Sequence, residues 1–188
     1  MTLKLRPTTY VLKLQASTPY PDTGRLVCIG YMLLGGDKVH VEAVEGPRSE
    51  RRVLRDLERL LKSCHIYITW DGANLEVPYL TATMLRHMLD PAPLYSARHI
   101  DLAKIVSSQL RLSGTGIQEA CRFFRIPVDP LLKMSMRRHE GRGREKGERG
   151  AARESLALCR AQVVAIEKLS RRLLPLISAL NPDLPTLL

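Results

Sequence analysis

The sequence predicts an α/β fold in which helices flank one mixed β-sheet. Three stretches before residue 46 have the composition of strands and are joined by turn residues, as in an antiparallel meander. From residue 49 the apolar side chains follow a helical spacing instead. A short apolar stretch then follows this helix, so the chain returns to the sheet and adds a strand in parallel.

The first three strands are predicted at 9–17, 25–35 and 38–45. The first, TYVLKLQAS, is rich in β-branched and aromatic residues and ends in the proline-rich turn TPYPDTG. The second, RLVCIGYMLLG, is a long apolar run that ends in Gly-Gly-Asp, which suits a hairpin turn. The third, KVHVEAVE, alternates apolar and polar residues, as expected of a strand with one buried face.

The next two elements form a helix and a parallel strand. SERRVLRDLERLLKS (49–63) places its aliphatic residues on one stripe, and Ser49 is a suitable N-cap. HIYIT (65–69) is a short apolar strand that we expect beside the first strand. Ligands of such sheets gather at the carboxyl ends of parallel strands, so residues 70–76 mark a candidate site.

Helices dominate the remainder of the chain. We predict a helix after Pro78 within 74–89, a strand at His99-Ile100 that continues into a helix within 96–110, a helix at 115–124 with a Thr115–Gln118 capping box, and a long amphipathic helix at 155–177. Between the last two, residues 137–153 are basic and glycine-rich and are predicted to form a flexible loop. With 188 residues, we expect a single domain spanning 1–188.

The net charge is +10, and arginine supplies most of it, with 21 Arg against 8 Lys. Because guanidinium groups suit phosphate contacts, nucleic acid is the first partner to consider. A solvated basic surface is the alternative interpretation. The candidate contacts are Arg51, Arg52 and Arg55 on the first helix and Arg137, Arg138, Arg142, Arg144, Lys146 and Arg149 in the loop.

The four cysteines lie far apart in the sequence and form no CxxC pair, so we expect buried thiols. No apolar run is long enough to span a membrane, and we expect no membrane partner. Charged residues interrupt the N-terminal stretch MTLKLRPTTYVLKLQ, which argues against a secretory signal. We therefore expect a cytoplasmic protein.

Several stretches resemble the DEDD-type 3′–5′ exonucleases, which have a ribonuclease H-like fold. LKLQAS…TGRLVCIGY resembles the layout of the first motif, and TWDGANLEVPYL resembles the spacing of the second. RHIDLAKIV and IQEACRFFRIP resemble segments that follow, and LCRAQVVAIEKL occupies the place of the last motif. The resemblance implies a nucleic-acid substrate and two divalent ions held by four carboxylates.

The residues at the four metal-binding positions do not fit that chemistry. The resemblance aligns the carboxylates of the first motif with Lys13 and Gln15, that of the second with Glu76, and that of the last with Gln162. Residues 8–21 contain no Asp or Glu, so no shift of the alignment along the first strand supplies a carboxylate. At ~4 Å and an effective dielectric near 20, a lysine ammonium repels each unit of an ion's charge by about 4 kcal/mol, so a lysine is unfavourable beside a dication. We expect Lys13 to pair with Glu76 instead.

Three functions remain open. The first is a catalytically inactive exonuclease-like domain that binds nucleic acid, with no catalytic residue, metal or cofactor. The second is an accessory subunit with a protein partner or a homodimer, for which LSRRLLPLISALNPDLPTLL is a candidate docking segment. The third is a divergent nuclease that uses Mg²⁺ or Mn²⁺ on Glu76 and Asp101. Each candidate residue near the cleft also has a structural explanation. Asp71 suits a turn, and Asp101 suits the N-cap of the following helix. Trp70 suits the core, and His99 is most often a surface or internally bonded histidine.

Overall fold

The computed structural model describes residues 7–132, 148–184 and 187. Five strands form one sheet in the order β3-β2-β1-β4-β5. They are β1 (Thr9–Ala16), β2 (Leu26–Leu33), β3 (Val39–Ala43), β4 (Ile66–Thr69) and β5 (Arg98–Asp101). The β1–β2 and β2–β3 pairs are antiparallel, and the β1–β4 and β4–β5 pairs are parallel. The predicted α/β fold with a mixed sheet is therefore confirmed.

Six helices are described around the sheet. They are α1 (Pro47–Lys62), α2 (Glu76–Arg86), α3 (Ala92–Ser96), α4 (Leu102–Gln109), α5 (Ile117–Phe123) and α6 (Glu148–Leu180). The sequence analysis did not predict α3, which has only five residues and no room for a helical repeat of apolar positions. The short strand before α4 is present as predicted.

The sheet separates two apolar cores. In β1, Val11 belongs to the core that faces α4, α5 and α6, whereas its neighbour Leu12 belongs to the core that faces α1 and α2. This alternation follows from the twofold repeat of a strand. Since the odd-numbered side chains of β1 point toward α6, Lys13 and Gln15 lie on the same side of the sheet as Val11.

Four predicted element ends differ from the structure. Helix α1 begins at Pro47, so Ser49 is its third residue; its hydroxyl accepts from the amides of Glu45 and Gly46, both at 2.9 Å. Helix α2 begins before Pro78, because a proline in the first turn forfeits no helical hydrogen bond. Helix α5 is capped by Gly116, and the Thr115–Gln118 capping box does not form.

The fourth difference concerns the predicted loop at 137–153. Residues 148–153 are helical and form the start of α6, because the alanines there have a high helix propensity that outweighs Gly150. The remainder of that prediction lies outside the described residues.

The C-terminal half of α6 packs on the chain's own core. Leu169, Leu173 and Ile177 of the predicted docking segment are buried in that core, whereas Leu180 is 43% exposed. All four cysteines are free and buried, as predicted. Within the described parts of the chain, every helix is too short or too polar to cross a lipid bilayer.

Candidate functional site

A cleft of about 860 Å³ opens at the carboxyl end of β4, the position that the sequence analysis indicated. The wall from β1 contributes Lys13, and the β4–α2 turn contributes Trp70 and Asp71. Helix α4 contributes Lys104, and α6 contributes Gln162. A loop at 113–116 and the first turn of α5 complete the rim, so parts of the chain that are distant in sequence meet in this cleft.

The β4–α2 turn is held by Asp101. Asp71 adopts a left-handed conformation with φ of 60°, which aspartate tolerates better than most residues. The Asp101 carboxylate accepts from the amides of Asp71 at 2.9 Å, Ala73 at 3.0 Å and Ala103 at 3.1 Å. Asp101 therefore caps α4 as predicted and fixes the turn as well. With three amides bonded to it, this carboxylate has a structural role.

An ion pair between Lys13 and Glu76 lies in the depth of the cleft. The Lys13 Nζ donates to Glu76 Oε1 at 2.5 Å, and the side chains are 9% and 0% exposed. This is the pair that the sequence analysis expected. The other carboxylate oxygen, Oε2, has no hydrogen-bond partner among the described residues. Burial raises the pKa of Glu76, and the Lys13 ammonium and the distant amide of Leu14 offset only part of that rise.

A second pair joins β1 to α6 beside the first. Gln15 Nε2 donates to Gln162 Oε1 at 2.6 Å. The thiol of Cys159, one helical turn from Gln162, donates to the Lys13 carbonyl at 3.6 Å. The four positions that the resemblance aligns with metal ligands therefore bond to one another, as one ion pair and one amide pair.

This donor set does not fit a pair of divalent ions. Mg²⁺ and Mn²⁺ require several oxygen ligands, most of them charged, whereas the four positions contain one carboxylate and one ammonium. The Lys13 ammonium holds one of the two Glu76 oxygens and would lie next to any ion bound at the other. Across residues 7–132 and 148–184, no three of His, Cys, Asp and Glu come together in a way that could hold a metal ion.

His99 and Trp70 are accounted for by their packing. The His99 ring stacks on Tyr67 at 4.6 Å between centroids, and its Nε2 lies 2.7 Å from Thr69 Oγ1. Burial lowers the pKa of His99, Lys104 adds to this, and Asp101 opposes it, so the ring is neutral at pH 7. Trp70 is 6% exposed and belongs to the core beneath α6, with one edge on the cleft.

The predicted nucleic-acid contacts on α1 do not lie in this cleft. Arg51, Arg52 and Arg55 are exposed and line a separate depression of about 390 Å³ on α1, together with Arg48. The sequence analysis missed Arg48, although its spacing of three, four and seven residues from the others marks one helical face. Arg137, Arg138, Arg142, Arg144 and Lys146, and the side chain of Arg149, lie outside the described residues.

A profile of the RNase_H superfamily matches residues 17–173 of this sequence. Among curated protein sequences, none matches the chain.

Solved structures that share its fold include two enzymes. One is the family B DNA polymerase from the hyperthermophilic archaeon Pyrobaculum calidifontis, with a TM-score of 0.72 and 16% identity over 97% of this chain and 27% of the polymerase. The other is exonuclease I, with a TM-score of 0.60 and 9% identity over 95% of this chain and 42% of the exonuclease. The chain spans less than half the length of either protein.

Proposed function

Because the chain belongs to the RNase H superfamily, we propose that it is an exonuclease-like domain that has lost the two-metal reaction and serves nucleic-acid metabolism by binding. The recognition of an RNase H-like, exonuclease-like fold in the sequence is confirmed. Loss of catalysis and retention of nucleic-acid binding are the two parts of the proposal. Each part rests on a different observation and needs its own experiment.

The Lys13–Glu76 ion pair carries the first part. A divalent ion on Glu76 would have to displace an ammonium that lies 2.5 Å from the carboxylate. If the ammonium remained at ~4 Å, its repulsion of an ion's charge would cost at least about 4 kcal/mol at an effective dielectric near 20. That corresponds to roughly a thousandfold loss of metal affinity. The Gln15–Gln162 pair supplies no negative charge to compensate.

Metal titration and nuclease assays test the loss of catalysis. We expect no two-site isotherm at micromolar Mg²⁺ or Mn²⁺ by calorimetry and no cleavage of labelled single- or double-stranded DNA or RNA. Glu76→Gln serves as the matched control for a contaminating nuclease. Cleavage by the natural chain that the Glu76→Gln variant lacks would overturn the proposal in favour of a divergent metal-dependent exonuclease.

A gain-of-function variant tests the same proposal from the opposite side. Lys13→Asp, Gln15→Glu and Gln162→Asp together place four carboxylates at the positions that the resemblance assigns to metal ligands. These charges repel one another until a cation binds, so we expect millimolar Mn²⁺ to raise the Tm of this variant by several degrees. The natural chain, under the same conditions, should show no shift. Equal Tm shifts in both proteins would mean that the Lys13–Glu76 ion pair does not prevent metal binding.

The second part of the proposal rests on charge and on the names of the neighbours. The chain carries a net charge of +10, which favours a polyanionic partner. The two similar structures are of a DNA polymerase and an exonuclease, both enzymes of nucleic acid. Binding to single- and double-stranded DNA and RNA at 50 mM salt, measured by fluorescence anisotropy, tests this part. Absence of binding to every one of them would leave an interaction subunit without nucleic acid as the better account.

A further inference from the structure

Helix α1 carries four arginines along one exposed line. Arg48, Arg51, Arg52 and Arg55 are all exposed, whereas Val53 and other residues of the opposite face are buried in the core. At ~100° per residue the four side chains fall within an arc of about 100°. We call these four residues the arginine stripe. From Arg48 to Arg55 it extends roughly 10 Å along the helix.

The positive charge of the arginine stripe is not neutralised by its neighbours. Among the described residues, none of the four arginines takes part in an ion pair or side-chain hydrogen bond. The acids on α1 are engaged elsewhere: Glu50 by Arg86 at 3.0 Å and His87 at 2.6 Å, Asp56 by Arg59, and Glu58 by Lys62. Within the part of the chain that the structure describes, the stripe therefore presents four guanidinium groups to solvent without an acidic partner.

The buried Glu50 also shapes this surface. It lies at 6% exposure under the stripe and binds Arg86 and His87 at the end of α2, which ties the two helices together. His87 and Pro47 then form the edges of the depression of about 390 Å³ that the arginines line. The four cations thus stand on a rigid, packed helix rather than on a loop, which lowers the entropy lost when they bind a ligand.

The cleft lacks a comparable charge. Its lining carries acids as well as cations, since Asp71 and Glu119 accompany Lys104, and the ammonium of Lys13 is paired with Glu76. The stripe lies on the other face of the sheet, because α1 packs in the core opposite to the one that α6 covers. The strongest described anion-binding surface is therefore separate from the cleft.

We infer that the arginine stripe is where the chain binds the phosphate backbone of nucleic acid. This inference rests on the proposed role in nucleic-acid binding and assigns that role to a surface outside the exonuclease-like cleft. One strand of B-DNA carries a phosphate every ~3.4 Å along the axis, so a line of ~10 Å spans about three of them. Guanidinium groups bind phosphates through paired hydrogen bonds, and contacts to phosphate carry no information on the base, so we expect binding that is independent of sequence.

The test compares two variants of equal net charge in the full chain. The stripe variant carries Arg→Gln at positions 48, 51, 52 and 55. The control carries Arg→Gln at positions 111, 122, 125 and 172, which are exposed and lie outside the stripe. Glutamine has nearly the helix propensity of arginine, and circular dichroism confirms that both variants fold. Anisotropy with single- and double-stranded DNA and RNA is measured at 50, 100 and 200 mM salt, alongside flotation with phosphatidylserine vesicles.

The expected result is a loss of at least tenfold in affinity for the stripe variant and little change for the control. For the stripe variant, the slope of log K against log salt concentration should be smaller in magnitude, by about 0.7 per lost phosphate contact on a single strand and by about 0.9 on a duplex. Equal effects of both variants would overturn this inference but leave nucleic-acid binding in place. No binding by the natural chain would overturn both. Binding of vesicles alone, abolished in the stripe variant, would reassign the surface to a membrane and also overturn the inference.

Discussion

Replacing Lys13 by methionine is expected to lower the free energy of unfolding by about 3–5 kcal/mol at pH 8. Glu76 is fully buried, and Lys13 Nζ at 2.5 Å is its principal hydrogen-bond donor. Without that ammonium the carboxylate keeps only backbone donors, among them the Leu14 amide at 3.5 Å. Methionine fills a volume close to that of the lysine stem, so the loss reports the unpaired charge and not a cavity.

The loss should shrink as the pH falls. Burial raises the pKa of Glu76 above its ordinary value of 4.5, and Lys13 is the strongest influence that lowers it. Removing Lys13 therefore raises the folded-state pKa further, while the unfolded-state pKa remains ordinary. Between the two values the folded state binds the additional proton, so the free energy of unfolding falls by up to ~1.4 kcal/mol per pH unit as pH rises. Below the unfolded-state pKa both states are protonated, and this penalty disappears.

Urea unfolding at pH 5 and pH 8 measures both effects. Trp70 is the only tryptophan and lies at the cleft, so its fluorescence reports the transition. Lys104→Met changes an exposed lysine of the same cleft and should cost less than about 0.5 kcal/mol. Adding Glu76→Gln to the Lys13→Met variant should recover most of the loss, because no buried charge then remains. A loss below about 1 kcal/mol at pH 8, or an equal loss at both pH values, would refute the reasoning.

Three further predictions concern residues around the cleft, each measured by urea unfolding. Asp101→Ala leaves three amides without their acceptor and should cost about 3 kcal/mol, with Asp101→Asn retaining part of the stability; a cost near zero would show that water replaces the carboxylate. Gly30→Ala places a Cβ 2.7 Å from the Cys159 sulfur and should lower the free energy of unfolding by about 1–3 kcal/mol. Adding Cys159→Ala should recover part of this loss. If the losses of the two single variants simply add in the double variant, the contact is contradicted. A double-mutant cycle of Gln15→Ala and Gln162→Ala should give a coupling of about 0.5–1.5 kcal/mol, and zero coupling would mean that the amide pair is not formed in solution.

The strands and most helices were predictable because their signals are local. The β-branched and aromatic composition of β1 and the helical stripe of α1 depend only on residues close together in the sequence, and both elements are observed close to the predicted bounds. The errors fall at element ends, at Ser49 and Thr115, where a proline or a glycine one or two residues away decides where the helix begins. Helix α3 was missed because five residues are too few to show a period.

The candidate site was predictable in part. The absence of acids from 8–21 is a property of composition, so it holds in any strand register. The Lys13–Glu76 pair was expected from the resemblance and is present. The arginine stripe was recognised in part: three of its members were named as candidates, Arg48 was left out because the predicted helix began at residue 49, and only the tertiary structure shows that the stripe lies away from the cleft.

The sequence alone determines three properties of this protein: strand-forming stretches in the N-terminal half, a first strand without carboxylates, and an excess of arginine. These are facts of composition and short-range order, which need no knowledge of distant contacts. The tertiary structure alone decides which groups neutralise one another. It brings Lys13 to Glu76 across 63 positions and Gln15 to Gln162 across 147, whereas four arginines of α1 have no acidic partner among the described residues. Burial and pairing of charge depend on such long-range contacts, and they distinguish the internally paired side chains of the cleft from the exposed arginine stripe.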